Sequence, residues 1–299
     1  MMYLVCAGAS VQLTAQYPRE GLMSKNTKGV IPGFGISFGI SVSILSLIVI
    51  IPLCSLIVFS SQLSISDFWE IVTRPRVIAS YKVSLVTSFT ASVINAVMGL
   101  IMAWVLVRYK FPGKRILDGM IELPFALPTA VAGISLAHLT VSEGPVGALF
   151  AKFGIDIAYT NIGITVAMVF IGIPFVVRSI QPVLEQVENE YEEAAFIMGA
   201  GRFETFYRVV LPEIRPALIA GFTMAFARCL GEYGSVVFIA GNKPYETEIA
   251  PLMIMGELQE FDYPAATSVA LTMLVMAFVI LFINAVFQSR ASAIISGIR

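Results

Sequence analysis

The sequence predicts an all-α polytopic membrane protein with six transmembrane helices, and three observations support this. Of its 299 residues, 57% are hydrophobic and 13% are charged, which is about half the charged fraction of a soluble domain. The apolar residues gather into long runs, and a helix needs about 20 such residues to cross a bilayer. Lysine and arginine are distributed unequally between alternate connecting segments, as the positive-inside rule describes.

Six apolar runs supply the predicted spans. A helix is the expected element in each, because it satisfies its own backbone hydrogen bonds in lipid. The third run is interrupted near its start by Pro124 and Pro128. The predicted spans are residues 34–59, 83–107, 123–142, 157–177, 217–241 and 263–289.

The basic residues predict that both termini are cytoplasmic. The two tails, the loop between spans two and three and the loop between spans four and five together carry thirteen lysines and arginines. The alternate segments carry five, and cytoplasmic segments are the ones enriched in these residues. The five are Arg74, Arg76, Lys82, Lys152 and Lys243.

The chain is predicted to form one transmembrane domain, 29–290, between two cytoplasmic tails, 1–28 and 291–299. The first tail is expected to be flexible. Its first residues are mildly apolar but follow no basic segment, so they do not resemble a cleavable signal peptide. Met23, with two lysines soon after it, resembles a natural start. Residues 1–22 are therefore predicted to be a dispensable extension or a start-codon artefact.

A water-facing loop, 179–216, separates the fourth and fifth spans. Apolar residues from 184 to 198 recur at helical spacing and predict one amphipathic helix. Gly199 predicts its end, because a glycine in the left-handed conformation terminates helices. A second short amphipathic helix is predicted from Phe203 to Val210, and Pro212 stands where a further helix could begin. Two short helices at an angle on a membrane face form a protrusion suited to docking.

Within this loop, Glu193-Ala194-Ala195, Gly199 and Leu211-Pro212 resemble the EAA loop of bacterial ABC importer permeases in identity, spacing and topology. Val209 is the one departure, since isoleucine is commoner there. The resemblance implies that the loop is a coupling helix seated in a groove of a separate ATPase subunit. The alternative is a surface helical hairpin without a partner. The implied coupling residues are Glu192, Glu193, Ala194, Ala195, Gly199, Leu211 and Pro212.

Arg228 and Glu232 are the ionised residues expected deep in a span. Four residues separate them, so they would share one helix face. Charges in lipid cost about 2.5–3.5 kcal/mol each on insertion scales, and both should face protein or water. Two interpretations stay open. The pair lines or gates a translocation path, or it is a structural ion pair that fixes helix packing.

The segment that opens the third span contains Pro124, Pro128 and Thr129. Prolines in a membrane helix leave carbonyls that must find other partners, and such helices are often kinked and line cavities. The segment is therefore a second candidate for the translocation path. A kink that serves packing alone is the alternative.

The sequence lacks several motifs that indicate catalysis, nucleotide binding or metal binding. It has no phosphate-binding GxxxxGK[ST] loop, no HExxH and no GxSxG motif. His138 is its single histidine, so a di-histidine metal site within the chain is excluded. The net charge of −1 does not favour a nucleic-acid partner. The chain is thus predicted to be no enzyme and to bind no metal or cofactor, so any ATP and Mg²⁺ would be held by a partner.

The predicted last outer loop is acidic and would repel a free anion rather than concentrate it. If the cargo is an anion, a separate binding protein must deliver it. The loop contains one basic residue, Lys243, and five acidic residues, which are Glu246, Glu248, Glu257, Glu260 and Asp262.

Most of the chain from Lys25 to Arg290 resembles the T-type permease subunits (CysT) of sulfate/thiosulfate ABC importers. The similarity includes the proline motif, the Arg228-x-Leu-Gly-Glu-Tyr-Gly segment and Phe238-Ile-Ala-Gly-Asn. It implies a type I importer (MetI-like) fold that works by alternating access in a bacterial inner membrane. It also implies a sister permease, expected to be a different chain, two ATPase subunits and a periplasmic sulfate-binding protein.

Other functions compete with this hypothesis. Molybdate or tungstate permeases share the proline motif and the Leu-Gly-Glu segment. An ion-coupled secondary transporter would use Arg228 and Glu232 as its coupling pair. An intramembrane enzyme is disfavoured, because the chain lacks recognisable nucleophile and ligand sets.

Overall fold

A computed structural model describes residues 34–187 and 189–296 of the chain. The predicted tail 1–28, with its proposed extension 1–22, and the last three residues lie outside this range. All regular secondary structure in the described ranges is helical, so the all-α prediction is confirmed there.

We number the helices in chain order and treat segments that continue through a π-helical turn as one helix. They are α1 Phe34–Ser60, α2 Ile65–Val72, α3 Pro75–Arg108, α4 Lys114–Ile121, α5 Leu123–Ala126, α6 Thr129–Thr140, α7 Gly147–Ala151, α8 Asn161–Gln186, α9 Asn189–Ile197, α10 Arg202–Leu230, α11 Val236–Ile239, α12 Ala250–Gln259 and α13 Tyr263–Ser296.

Five of the helices in the described ranges are long and apolar enough to cross a membrane, namely α1, α3, α8, α10 and α13. The predicted third span is not one continuous helix. Pro128 has no N–H to donate, and Leu127 before it is held extended at φ −85°, ψ 135°, as residues before proline usually are. The 12 residues of α6 rise only about 18 Å, which is less than the bilayer's hydrocarbon thickness.

The chain forms two compact units, Met1–Pro52 and Leu53–Arg299. In the first unit, the described residues 34–52 are helical and none of them is buried. The second unit is a helical bundle in which α8 packs against both α3 and α10. Its core contains three apolar clusters, represented by Met168, Ile180 and Phe226.

Small residues allow the close packing around α8. Cβ atoms added at Gly99 or Gly221 would collide with Val176 of α8. In membranes, helices associate through such small-residue contacts, because lipid gives no hydrophobic drive between helices. These contacts fix α3 and α10 on α8, and α8 and α10 flank the loop that carries the candidate site.

Candidate coupling loop and membrane path

The first half of the predicted docking loop is two helices rather than one. The transmembrane helix α8 continues to Gln186, and α9 begins only at Asn189. Between them Val187 is extended, at φ −70°, ψ 108°. Its carbonyl accepts a hydrogen bond from Arg108 Nη2 at 3.1 Å, and its side chain is buried. Tertiary contacts at Val187 therefore accompany a break that the periodicity of the sequence did not indicate.

The predicted left-handed glycine is confirmed at Gly199, which has φ +88°. A Cβ at this position would meet no atom within 4 Å. The requirement for glycine here is therefore conformational rather than steric, because L-residues with a side chain rarely adopt this backbone.

The second half of the loop differs from the prediction of a separate short helix. Residues 203–210 belong to α10, which runs unbroken from Arg202 through a π-helical turn, Phe206–Val210, into the membrane. Pro212 lies at the start of the following α-helical segment. Because proline has no N–H and its ring clashes with the carbonyl four residues earlier, a locally wider turn before it lets the helix continue.

The residues of the EAA-like motif differ in exposure. Glu193, Ala194, Gly199 and Pro212 are exposed, and Glu192 and Leu211 are partly buried. Ala195 is 3% exposed and faces the bundle. The motif thus combines residues that are accessible to a partner with one that packs internally.

Three apolar side chains at the same end of the bundle are largely exposed, and the motif did not point to them. They are Ile197 at 87%, Met198 at 82% and Phe203 at 81%. Clustered exposed apolar residues are typical of interaction sites. The sequence analysis placed Met198 and Phe203 on the apolar faces of the two predicted helices, but the structure leaves both exposed.

Arg108, at the end of α3, connects to the docking loop. Its Nη2 lies 2.7 Å from Glu192 Oε1, in addition to its bond to the Val187 carbonyl. The guanidinium also lies over the ring of Trp104, 5.8 Å from the centroid. Trp104 in turn packs edge-on against Phe206, with centroids 5.2 Å apart. We call this arrangement the α3 latch, and sequence analysis did not find it.

A second basic residue, Arg178 of α8, anchors α4 and the turn after it. Its Nη1 donates to Asp118 Oδ1 at 2.9 Å, and its Nη2 lies 2.7 Å from Glu122 Oε1. Phe125 packs edge-on against Phe175 nearby. These contacts fix α5, with Pro124, on α8.

Arg228 and Glu232 form an ion pair, but they do not share a helix. The helix α10 ends at Leu230, so Glu232 lies in the turn beyond it. Arg228 Nη1 donates to Glu232 Oε2 at 2.6 Å. Glu232 Oε1 accepts from Ser235 N at 2.8 Å and from Ser235 Oγ at 3.0 Å. The Glu232 side chain is 2% exposed and that of Arg228 is 35% exposed, so only Arg228 remains open to a further ligand.

The proline segment packs directly on this turn. A Cβ at Gly133 would collide with the backbone of Ser235, and one at Gly234 would collide with Thr129. The structure therefore brings Thr129 beside the Glu232 turn. Pro124 is placed elsewhere, in α5 against α8, and Pro128 marks the break between α5 and α6.

The predicted acidic outer loop is partly neutralised. Arg76 makes a bidentate contact with Glu248, with Nε to Oε2 at 2.8 Å and Nη2 to Oε1 at 2.7 Å. Glu257 has a raised pKa, first because burial disfavours its charged form and then because of the carboxylates of Asp262 and Glu260. The acidic surface at this end is thus weaker than the residue count suggests.

Comparisons with known proteins identify the class. Residues 95–294 match the family described as binding-protein-dependent transport system inner membrane component. The chain belongs to this family, and it is therefore a membrane subunit of a transport system and not an enzyme.

Curated relatives make the class narrower. The chain is 50% identical over 269 residues to the sulfate transport system permease protein CysT of Escherichia coli K12. The aligned region covers 90% of this chain and 97% of the relative. The chain is 46% identical over 249 residues to CysT of Synechocystis sp. PCC 6803, covering 83% and 87%. The predicted family resemblance is thus confirmed.

Solved structures confirm the fold. A bacterial ABC transporter that imports alginate matches with a TM-score of 0.72 and 16% identity, over 86% of this chain and 94% of that one. The MetNI methionine ABC transporter in an inward-facing conformation matches with a TM-score of 0.54 and 18% identity, over 77% and 99%. The ABC importer permease fold is therefore present here.

Proposed function

We propose that this chain is a membrane-spanning permease subunit of an ATP-driven importer for sulfate and thiosulfate. The observation that carries the proposal is the 50% identity, over nearly the full length, to a sulfate transport system permease. The coupling-loop geometry supports it. A short, partly exposed helix, α9, lies between two transmembrane helices and is tied to a third by the α3 latch.

The mechanism is alternating access. Closure of an ATPase dimer moves the docking loops of the two permease chains together, and α8, α10 and α3 transmit that motion to the bundle. Glu193, Ala194 and Gly199 would face the ATPase, as would Leu211 and Pro212 at the start of the next segment. Glu192 and Ala195 would hold α9 on the bundle.

The complex would contain a sister permease, two ATPase subunits and a periplasmic sulfate-binding protein in a bacterial cytoplasmic membrane. One solved relative in fold, an alginate ABC transporter, was crystallised with its ligand-bound periplasmic protein. ATP and Mg²⁺ would be bound by the ATPase chains. Both termini of this chain would lie on the ATPase side.

Arg228 and Glu232 are proposed to fix the turn at the end of α10, since both carboxylate oxygens of Glu232 already accept hydrogen bonds within this chain. Thr129 and the break at Pro128 would then shape the path beside that turn. A partly exposed Arg228 still offers one N–H edge to an anion.

Reconstitution tests the transport function. Proteoliposomes with the permease pair, the ATPase and the binding protein should take up radiolabelled sulfate only when ATP is present. Molybdate should compete poorly. Sulfate uptake by this chain without an ATPase, or uptake that prefers molybdate, would contradict the proposal.

Gly199→Asp tests the coupling loop. A side chain is strained at φ +88°, so we expect α9 to be displaced and transport to fall by about tenfold or more. Affinity of the complex for the loaded binding protein should be retained. The matched control is Gly201→Asp, because Gly201 has an ordinary φ of −71°. Full transport in the Gly199 variant would refute the assignment.

A further inference from the structure

A groove of about 910 Å³ lies between α3 and the first part of α10, at the end of the bundle that carries the coupling loop. One face of α3 forms its apolar wall, because the residues recur three or four positions apart. Leu218 of α10 lies on the opposite side. The α3 residues of this wall are Ala96, Val97, Leu100 and Ile101.

Two cations lie at one end of the groove. Lys110 follows the end of α3 by two residues, and Arg202 is the first residue of α10. The lining contains no carboxylate. Neither cation forms an ion pair with any carboxylate in the part of the chain that the structure describes. The end of the groove therefore presents two positive charges that nothing in the described chain neutralises.

Aromatic rings surround the same end. Trp104 of α3, Tyr109 directly after α3 and Phe203 of α10 all line the groove. Tyr109 is 56% and Phe203 81% exposed. Aromatic residues of this kind are enriched where a membrane meets water. The groove thus runs from an apolar region within the membrane to a basic, aromatic end at the interface.

We propose that this groove binds an anionic phospholipid, with an acyl chain against Val97, Leu100 and Ile101 and the phosphate between Lys110 and Arg202. Basic pockets between transmembrane helices on the cytoplasmic side bind acidic headgroups in this way. Lysine is depleted at the centres of protein interfaces, although arginine and aromatic residues are enriched there. The pair of unneutralised cations, which one phosphate matches, is therefore what favours a lipid over a protein segment. The site does not depend on which anion the importer carries.

The site also has a consequence for the α3 latch. Phe206 and Trp104 line the groove and pack on one another, and Arg108 lies over Trp104. A lipid in the groove would contact this latch and stabilise the position of the coupling loop.

The test is lipid retention by the purified importer complex. Native mass spectrometry should show phosphatidylglycerol bound to the wild-type complex after detergent washing, and much less phosphatidylcholine. Lys110→Glu with Arg202→Glu should reduce phosphatidylglycerol retention by about tenfold or more. Lys110→Gln with Arg202→Gln should give a smaller loss, which guards against misfolding of the charge-reversed variant.

Two control variants distinguish binding in the groove from a general effect of surface charge. Lys114→Glu with Arg115→Glu reverses the same number of charges at the same end of the bundle, but neither residue lines the groove, so retention should be unchanged. Val97→Trp fills the apolar wall without changing charge and should also reduce retention. Excess inorganic phosphate should not displace the lipid, because the acyl chain contributes to binding.

Three outcomes would overturn the proposal. They are equal retention of both lipids, equal loss in the control at 114 and 115, and a structure of the assembled importer with a helix of the sister permease in this groove.

Discussion

At the scale of single residues, Gly172 leaves no room for a side chain beside the buried Asn95. A Cβ at Gly172 would collide with the amide of Asn95 and lie 3.2 Å from Cys229 Sγ. Asn95 is fully buried, and neither atom of its amide has a hydrogen-bond partner among the described residues. An unsatisfied buried polar group costs about 1–3 kcal/mol, so the amide is held here by packing rather than by hydrogen bonds.

Gly172→Ala should therefore destabilise the bundle by about 1–3 kcal/mol, the usual cost of overpacking. Asn95→Ala in the same chain should restore part of that loss, because it removes the atom that the new methyl group meets. Thermal unfolding of the purified complex measures both effects. Gly119→Ala is the matched control, since a Cβ there meets nothing within 4 Å. Additive effects of the two substitutions would contradict the contact.

At the scale of elements, α9 depends on its neighbours. It has nine residues, and isolated helices of this length are marginal in water. Its position is therefore set by what holds it, which is the Arg108–Glu192 pair, the buried Ala195 and the turn at Gly199. The pair is only partly exposed, at 14% for Arg108 and 19% for Glu192, so solvent screens it less than a surface pair.

Glu192→Gln should loosen α9 on the bundle without changing its length. We expect a loss of about 1 kcal/mol, which corresponds to amide exchange about fivefold faster across 189–197 by hydrogen–deuterium exchange. Glu190→Gln is the control, because Glu190 is exposed and makes no ion pair in the described structure. Unchanged exchange in the Glu192 variant would show that the pair does not hold the helix.

At the scale of the whole molecule, function depends on which face of the membrane meets the ATPase. The coupling loop, α4 and the basic end of the groove between α3 and α10 belong to one end of the bundle, and the Arg76–Glu248 pair belongs to the other. Lysine and arginine are in excess in the segments at the coupling-loop end of the bundle, which predicts that this end faces the cytoplasm.

Thiol labelling checks this orientation. In a chain without its native cysteines, Lys152→Cys should react with a membrane-impermeant reagent in intact spheroplasts. Arg115→Cys should react only after the membrane is permeabilised. Both positions are exposed, so a difference reports sidedness rather than burial. The reverse pattern would place the coupling loop outside and would contradict coupling to an ATPase.

Much of this protein could be predicted from its residues, and the exceptions have physical causes. Most of the spans were predictable, because the cost of exposing polar groups to lipid acts on every residue of a run. The third predicted span is the exception, since it is interrupted at Pro128. The left-handed Gly199 was predictable, because glycine alone adopts that backbone without strain. The break at Val187, the α3 latch and the end of α10 before Glu232 were not, because each depends on a partner distant in sequence.

The sequence by itself determined that the chain is a helical membrane protein, roughly where most of its spans lie and which loop resembles a coupling loop, because these depend on local composition and spacing. Only the tertiary structure decided that Arg108 holds Glu192, that Thr129 packs beside the Glu232 turn, and that Lys110 and Arg202 line one groove. The physical reason is that electrostatic and packing energies depend on distances in space. Helix packing around α8 sets these distances, and spacing along the chain does not.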